Sequence, residues 1–232
     1  MKNRILLAAL LAGALVTVSC NKDRTLYYNS LEMGVLQADG RIITDGGLTY
    51  SVTENGTEYT LSGKEGRIIF LADVLQETTD LHYDIRLKNI ATVPTPDLIK
   101  EQDLPSSADN AVRVNSAWFG GGFLNLSLSY LVEPSSTVEH QIRFAEQTVE
   151  NGKDTLFIRI YHDAAGEFWD GTKDLAESDL VLTNDYYSIP IDAYRPTSDS
   201  RPVKLFYRWY TYENDEILAE TRLYPIEGEL VK

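Results

Sequence analysis

The chain is short of cysteine, histidine and positive charge, and it has no apolar run long enough to cross a bilayer as a helix. A single cysteine, Cys20, excludes an intrachain disulfide, so the fold must rest on its core alone. The three histidines, His82, His140 and His162, form no closely spaced metal motif, and no metal or other cofactor is expected. Lysine and arginine number 21 against 35 acidic residues, a formal net charge of −14 that repels phosphate backbones and disfavours nucleic acid as a partner. There is no G-x-S-x-G elbow, and Gly120-Gly121-Gly122 is not followed by the Gly-Lys-Ser/Thr of a phosphate loop. With 35 acidic residues some carboxylate pair always looks suited to glycoside hydrolysis, but the separation that decides it is not readable from sequence. No residue is assigned a catalytic role.

What is present begins at the N-terminus. Lys2 and Arg4 precede an apolar stretch from Ile5 to Val18 that ends at Cys20. The stretch falls short of the ~20 residues of a membrane-spanning helix, but a charged start and a short apolar centre are what an export signal needs. The segment from Leu15 to Cys20 is similar to a bacterial lipobox, with Thr17 where leucine is usual. Acyl chains on Cys20 would hold the protein in a lipid bilayer at about 0.8 kcal/mol per buried CH2. Removing residues 1–19 also removes Lys2 and Arg4, which leaves the mature chain more acidic still.

The mature chain reads as all-β, a small OB-like five-stranded barrel followed by a β-sandwich. Residues 1–19 are expected to be the signal, 20–30 a tether, 31–93 the barrel, 94–110 a linker and 111–232 the sandwich. Strand signals recur at Met33–Gln37, Leu48–Thr53, Tyr59–Leu61, Arg67–Leu75 and His82–Val93, with Asn55-Gly56 marking a hairpin turn. Pro94, Pro96 and Pro105 then interrupt the pattern, with one helical turn expected around Asp97–Gln102. Eight further strands are expected at Val112–Ala117, Phe123–Leu131, Val138–Val149, Thr155–His162, Leu180–Leu182, Tyr186–Ile191, Val203–Tyr212 and Ile217–Ile226, which suits a sandwich. Within Phe123–Leu131, Leu124, Leu126, Leu128 and Tyr130 alternate with Asn125, Ser127 and Ser129, which predicts one face in the core and one in water.

Three strings carry a family resemblance: Y-D-I-R-L-K-N-I from Tyr83 to Ile90, W-F-G-G-G-F-L-N-L from Trp118 to Leu126, and R-I-Y-H-D-A-A-G-E from Arg159 to Glu167. Together with the lipoprotein signal they make the chain similar to the NigD-like lipoproteins. The resemblance implies an N-terminal OB domain, a C-terminal β-sandwich and no defined activity.

Several candidate sites follow from the residues themselves. The triple glycine suits a bend or bulge with Trp118 packed beneath it, or else a close approach of backbone to a ligand. A hairpin at Asn151-Gly152-Lys153 would place His162 opposite Ile142 with His140 on the diagonal. Two histidines bonded within the core are favoured there over a metal site. The acidic stretch Asp163–Asp179 reads as a solvated loop rather than a calcium site. In the most aromatic strand, Leu205, Tyr207 and Trp209 would face the core, leaving Phe206, Arg208, Tyr210 and Tyr212 as candidate ligand-binding residues. The expected protein is thus lipid-anchored at the outer membrane, on its periplasmic face or the cell surface. It binds or scaffolds an envelope protein partner without catalysis. A glycan-binding accessory role is the alternative, ahead of a metal-dependent hydrolase using His140 and His162.

Overall fold

The computed structural model describes residues 27–55, 61, 63–104, 108–147, 155–169, 180–196, 200–213 and 216–231. Cys20 and the export signal lie outside these residues, as do Gly56, the 151–153 loop and most of the acidic stretch.

The first five strands are β1 (Tyr27–Leu36), β2 (Arg41–Thr44), β3 (Thr49–Asn55), β4 (Gly66–Thr79) and β5 (His82–Thr92). They close into a barrel in the order β1-β2-β3-β5-β4, with β3 and β5 parallel and the other pairs antiparallel. Leu36, Ile42, Tyr50, Ile68, Phe70, Ile85 and Leu87 fill its interior. Every second residue of β2 points inward, yet that makes only two buried positions, Ile42 and Thr44, too short an alternation to stand out in sequence. This strand was not expected. Of the strand expected at Tyr59–Leu61, only Leu61 is described, and it is not in a strand. Tyr27–Ser30, expected in the tether, already belong to β1.

The rest of the chain forms two packed sheets. β6 (Ile99–Lys100), β9 (Gln141–Gln147), β10 (Leu156–Asp163), β12 (Ser200–Glu213) and β13 (Glu216–Val231) make one, in the order β13-β12-β10-β9-β6. β7 (Arg113–Gly120), β8 (Phe123–Val132) and β11 (Val181–Pro190) make the other, with β8 in the centre. Val114, Leu124, Leu126, Leu128 and Ile189 of the small sheet meet Phe144, Ile158, Ile160, Leu205 and Tyr207 of the large one in a single core. The stretch after the barrel runs along this sandwich: Ile99 lies opposite Ala145, and a 3-10 turn follows at Glu101–Asp103.

Two expectations need correcting. β11 is one continuous strand where two were expected, because Asn184 and Asp185 bond across the sheet instead of turning the chain. The polar side of β8 does not face water either: Asn125, Ser127 and Ser129 are 0%, 6% and 4% exposed. Asn115 and Asn184 reach over the two serines from the flanking strands, and the barrel covers Asn125. A register shift between Val114 and Ser116 assists this by turning Asn115 and Ser116 to the same outer face.

Candidate functional site

Barrel and sandwich are joined by a buried arginine. Arg67 sits at the start of β4, where the strand lies against the sandwich, and only 1% of its side chain is exposed. Burying a guanidinium is costly unless its donors are met, and here they are met from both domains. Both terminal nitrogens donate to the Asp45 carboxylate, in the turn between β2 and β3, one of them at 2.6 Å. Nη2 also donates to Asn125 Oδ1 at 2.7 Å, and Nε donates to Ser188 Oγ at 3.0 Å. The clasp closes on itself, because Ser188 Oγ donates to Asn125 Oδ1 and Asn125 Nδ2 donates to Asp45 Oδ2. The guanidinium also lies 4.6 Å above the Phe123 ring.

This clasp accounts for the triple glycine. Gly120 lies opposite Phe123, so Gly121 and Gly122 are a two-residue hairpin loop, with φ of +60° and +87°. Positive φ at both positions is what a type I′ turn requires, and glycine adopts it without strain. Space matters as well, since a Cβ on Gly120 or Gly121 would fall 2.7 Å or 2.5 Å from a carboxylate oxygen of Asp45. The group approaching this backbone is therefore a barrel side chain. Trp118 does not pack beneath the glycines but stands on the outer face of β7, beside Asn125 of β8.

Next to the clasp is a half-open groove of about 370 Å³. Leu31, Glu32, Met33, Thr44, Asp45 and Ile69 line it from the barrel, and Ser116, Trp118 and Tyr186 from the sandwich. Trp118 and Tyr186 stand on the two strands flanking β8, about 9 to 10 Å apart by strand spacing, with small side chains between them. Leu31 is 61% exposed at the groove, a large apolar side chain open to solvent. The Glu32 carboxylate is turned toward Tyr50, whose hydroxyl lies 3.2 Å from it. No motif announced this groove, because its residues are spread over five strands and their connections.

His162 stands opposite Ile142, the register expected from the sequence, and the two histidines meet. His162 Nδ1 donates to the Ala111 carbonyl at 2.9 Å, and its Nε2 lies 3.0 Å from His140 Nδ1. His140 Nε2 lies 3.2 Å from Glu167 Oε2. The Tyr130 ring packs on both imidazoles, and its hydroxyl donates to Asp185. Burial lowers His162 to about 4, so it is neutral at physiological pH. Burial also pushes Tyr187 up to about 12 and raises Tyr130 far above a normal phenol. The imidazoles spend their nitrogens on each other and on protein groups, and no set of three or more His, Cys, Asp or Glu side chains among the described residues is placed to hold a metal ion.

In the aromatic strand β12, Leu205 and Tyr207 face the core and Trp209 packs against it. On the other side Phe206 stacks on Phe157 with ring centroids 5.6 Å apart, and Arg208 donates to the Asp109 carbonyl. The Tyr210 ring meets Trp169 edge-on at 5.0 Å, and its hydroxyl donates to the Trp169 carbonyl. Tyr212 lies opposite Ile217 of β13, and its side chain lies outside the described residues. His82 is separate from all of these, bonded to Ser51 in the barrel.

The same architecture occurs in solved structures. A NigD-like immunity protein from Bacteroides caccae is 20% identical over 87% of this chain and 98% of its own, with a TM-score of 0.61. A protein of unknown function from Bacteroides vulgatus is 17% identical over 88% of this chain and 94% of its own, with a TM-score of 0.60. A candidate lipoprotein from Bacteroides fragilis is 10% identical over 89% of this chain and 99% of its own, with a TM-score of 0.61. At such identities the likeness establishes the fold alone. No curated protein matches the chain. The sequence profile of the NigD-like C-terminal beta sandwich domain matches residues 95–221, more than half of the chain, from the edge strand β6 through the hairpin and the clasp residues Asn125 and Ser188 into β13, and the protein belongs to that family.

Proposed function

We propose that this protein is an envelope lipoprotein, anchored through acylated Cys20, that binds a protein partner without catalysing a reaction. The groove at the junction of barrel and sandwich is its binding face. The observation that carries this reading is the pairing of clasp and groove: a satisfied buried charge fixes the two domains directly beside an opening that both of them line. Such a composite site is preorganised, so little binding energy is lost in ordering it. Trp118, Tyr186 and Leu31 supply the aromatic and apolar contacts typical of a protein-binding hot spot. The histidines, the tyrosines and Asp45 are bonded to one another inside the protein, which suits a scaffold better than a reaction centre. The lipoprotein description of one structural neighbour agrees with the anchor, and the immunity role named for another would also be exercised by binding.

The test is recovery of whatever co-purifies with the lipidated protein from native envelopes. Trp118→Ala and Tyr186→Ala should each abolish that recovery while the protein stays folded and membrane-bound. Undiminished recovery from both variants would refute the groove. A second reading, a glycan-binding accessory role for Phe206, Arg208, Tyr210 and Tyr212, draws support from the half-buried aromatic row on the side of β12 away from the core. Saccharide binding lost in Tyr210→Ala but kept in Trp118→Ala would select it.

A further inference from the structure

The directions of the hydrogen bonds in the histidine cluster are fixed from one end. The Ala111 carbonyl can only accept, so His162 carries its proton on Nδ1. A neutral His162 then presents a lone pair at Nε2, so His140 must donate to it from Nδ1. That leaves His140 Nε2 facing the Glu167 carboxylate at 3.2 Å. A neutral imidazole would set two lone pairs against each other there, so the pair needs one more proton. Glu167 already accepts from the Glu133 N–H at 3.1 Å, and the Ser136 hydroxyl is the largest influence holding its carboxyl below the usual range. Glu167 is therefore ionised, and the extra proton belongs on His140.

The segment tied down by this proton is a strap. It is hinged where the Ala164 N–H donates to Asn110 Oδ1, and it turns through Ala165 and Gly166, which have φ of +49° and +99°. It is held by Glu167 and ends on Trp169, which packs on Tyr210. We infer that His140, His162 and Glu167 form a proton-binding site that latches the strap Ala164–Trp169 over Tyr210, and that loss of the His140 proton at higher pH frees the strap and uncovers that side of β12. The groups facing His140 are His162 from β10, Tyr130 from β8 and Glu167 from the strap, with Glu139 on its own segment, Asp163 beyond His162 and Asp185 behind Tyr130. Glu167 is the carboxylate in direct contact, so it sets the sign: the latch holds while His140 is charged and opens as pH rises through its titration. This inference does not depend on the junction groove.

The test is histidine-resolved 15N NMR of the folded protein. At neutral pH both ring nitrogens of His140 should carry protons, while His162 shows the neutral Nδ1–H form. On raising the pH, the Trp169 indole signal should shift with the same midpoint as His140. In Glu167→Gln, His140 should be neutral at neutral pH and the strap amides should exchange about tenfold faster, with Ile158 and Leu205 amides unchanged as a control on folding. A neutral His140 in the unaltered protein would overturn the inference. So would a charged His140 whose titration leaves Trp169 unmoved, a result that needs no variant to fold.

Discussion

Arg67 leaves water almost completely, and its charge is tolerated because Asp45, Asn125 and Ser188 meet it from both sides of the domain junction. Removing one partner of such a pair costs far more than removing both. Asp45→Ala should therefore destabilise the protein by about 3 to 5 kcal/mol in urea denaturation, and Asp45→Ala with Arg67→Met should recover much of that loss. A loss below ~1 kcal/mol in the single variant would mean that the clasp is not structural. His162 allows a pH prediction. Its ordinary value is 6.5 and burial lowers it to about 4, so its contribution is complete above 6.5 and erodes as pH falls toward 4. The loss amounts to roughly 3 kcal/mol at its acid limit. Unfolding free energies measured across that range should fall less steeply for His162→Phe than for the unaltered protein; equal slopes would contradict the assignment. At this scale the sequence disclosed the histidine pair, because both histidines lie on adjacent strands with a countable register. The clasp was hidden, since Arg67 meets residues 58 and 121 positions away and nothing local marks it as buried.

The β7–β8 hairpin shows an element shaped by two constraints at once. Gly40 and Gly121 both have positive φ, at +83° and +60°, but a Cβ on Gly40 meets nothing within 4 Å whereas one on Gly121 would collide with Asp45. Gly40→Ala should therefore cost only the backbone strain, about 1 to 2 kcal/mol. Gly121→Ala should cost clearly more, because Asp45 must move and loosen its hold on Arg67. Equal losses in chemical denaturation would remove Asp45 from the explanation of the glycine. Long alternating strands were legible because each buries many residues, as β8 and β12 do. β2 was too short to show. β11 looked like two strands because Thr183-Asn184-Asp185 has the composition of a turn, and its partners Ser127 and Tyr130 belong to another strand. The same tertiary pairing buried the polar face of β8.

For the whole molecule, the clasp predicts shared stability between barrel and sandwich. Calorimetry should show one unfolding transition for the unaltered protein and two for Arg67→Ala, in which the domains lose their common buried charge. Two transitions in the unaltered protein would make the junction a weak one. The two-part all-β architecture was readable from strand spacing and the proline interruption, whereas the junction exists only once the parts are folded together. The proposed role depends on that junction, and site-specific photo-crosslinking of the lipidated protein in its native envelope tests it most directly. With a photoreactive amino acid in place of Trp118 or of Tyr186, the account predicts one and the same discrete protein adduct from both positions, lost when Asp45→Ala opens the clasp. Adducts formed from Phe206 or Tyr210 but from neither groove position would contradict it.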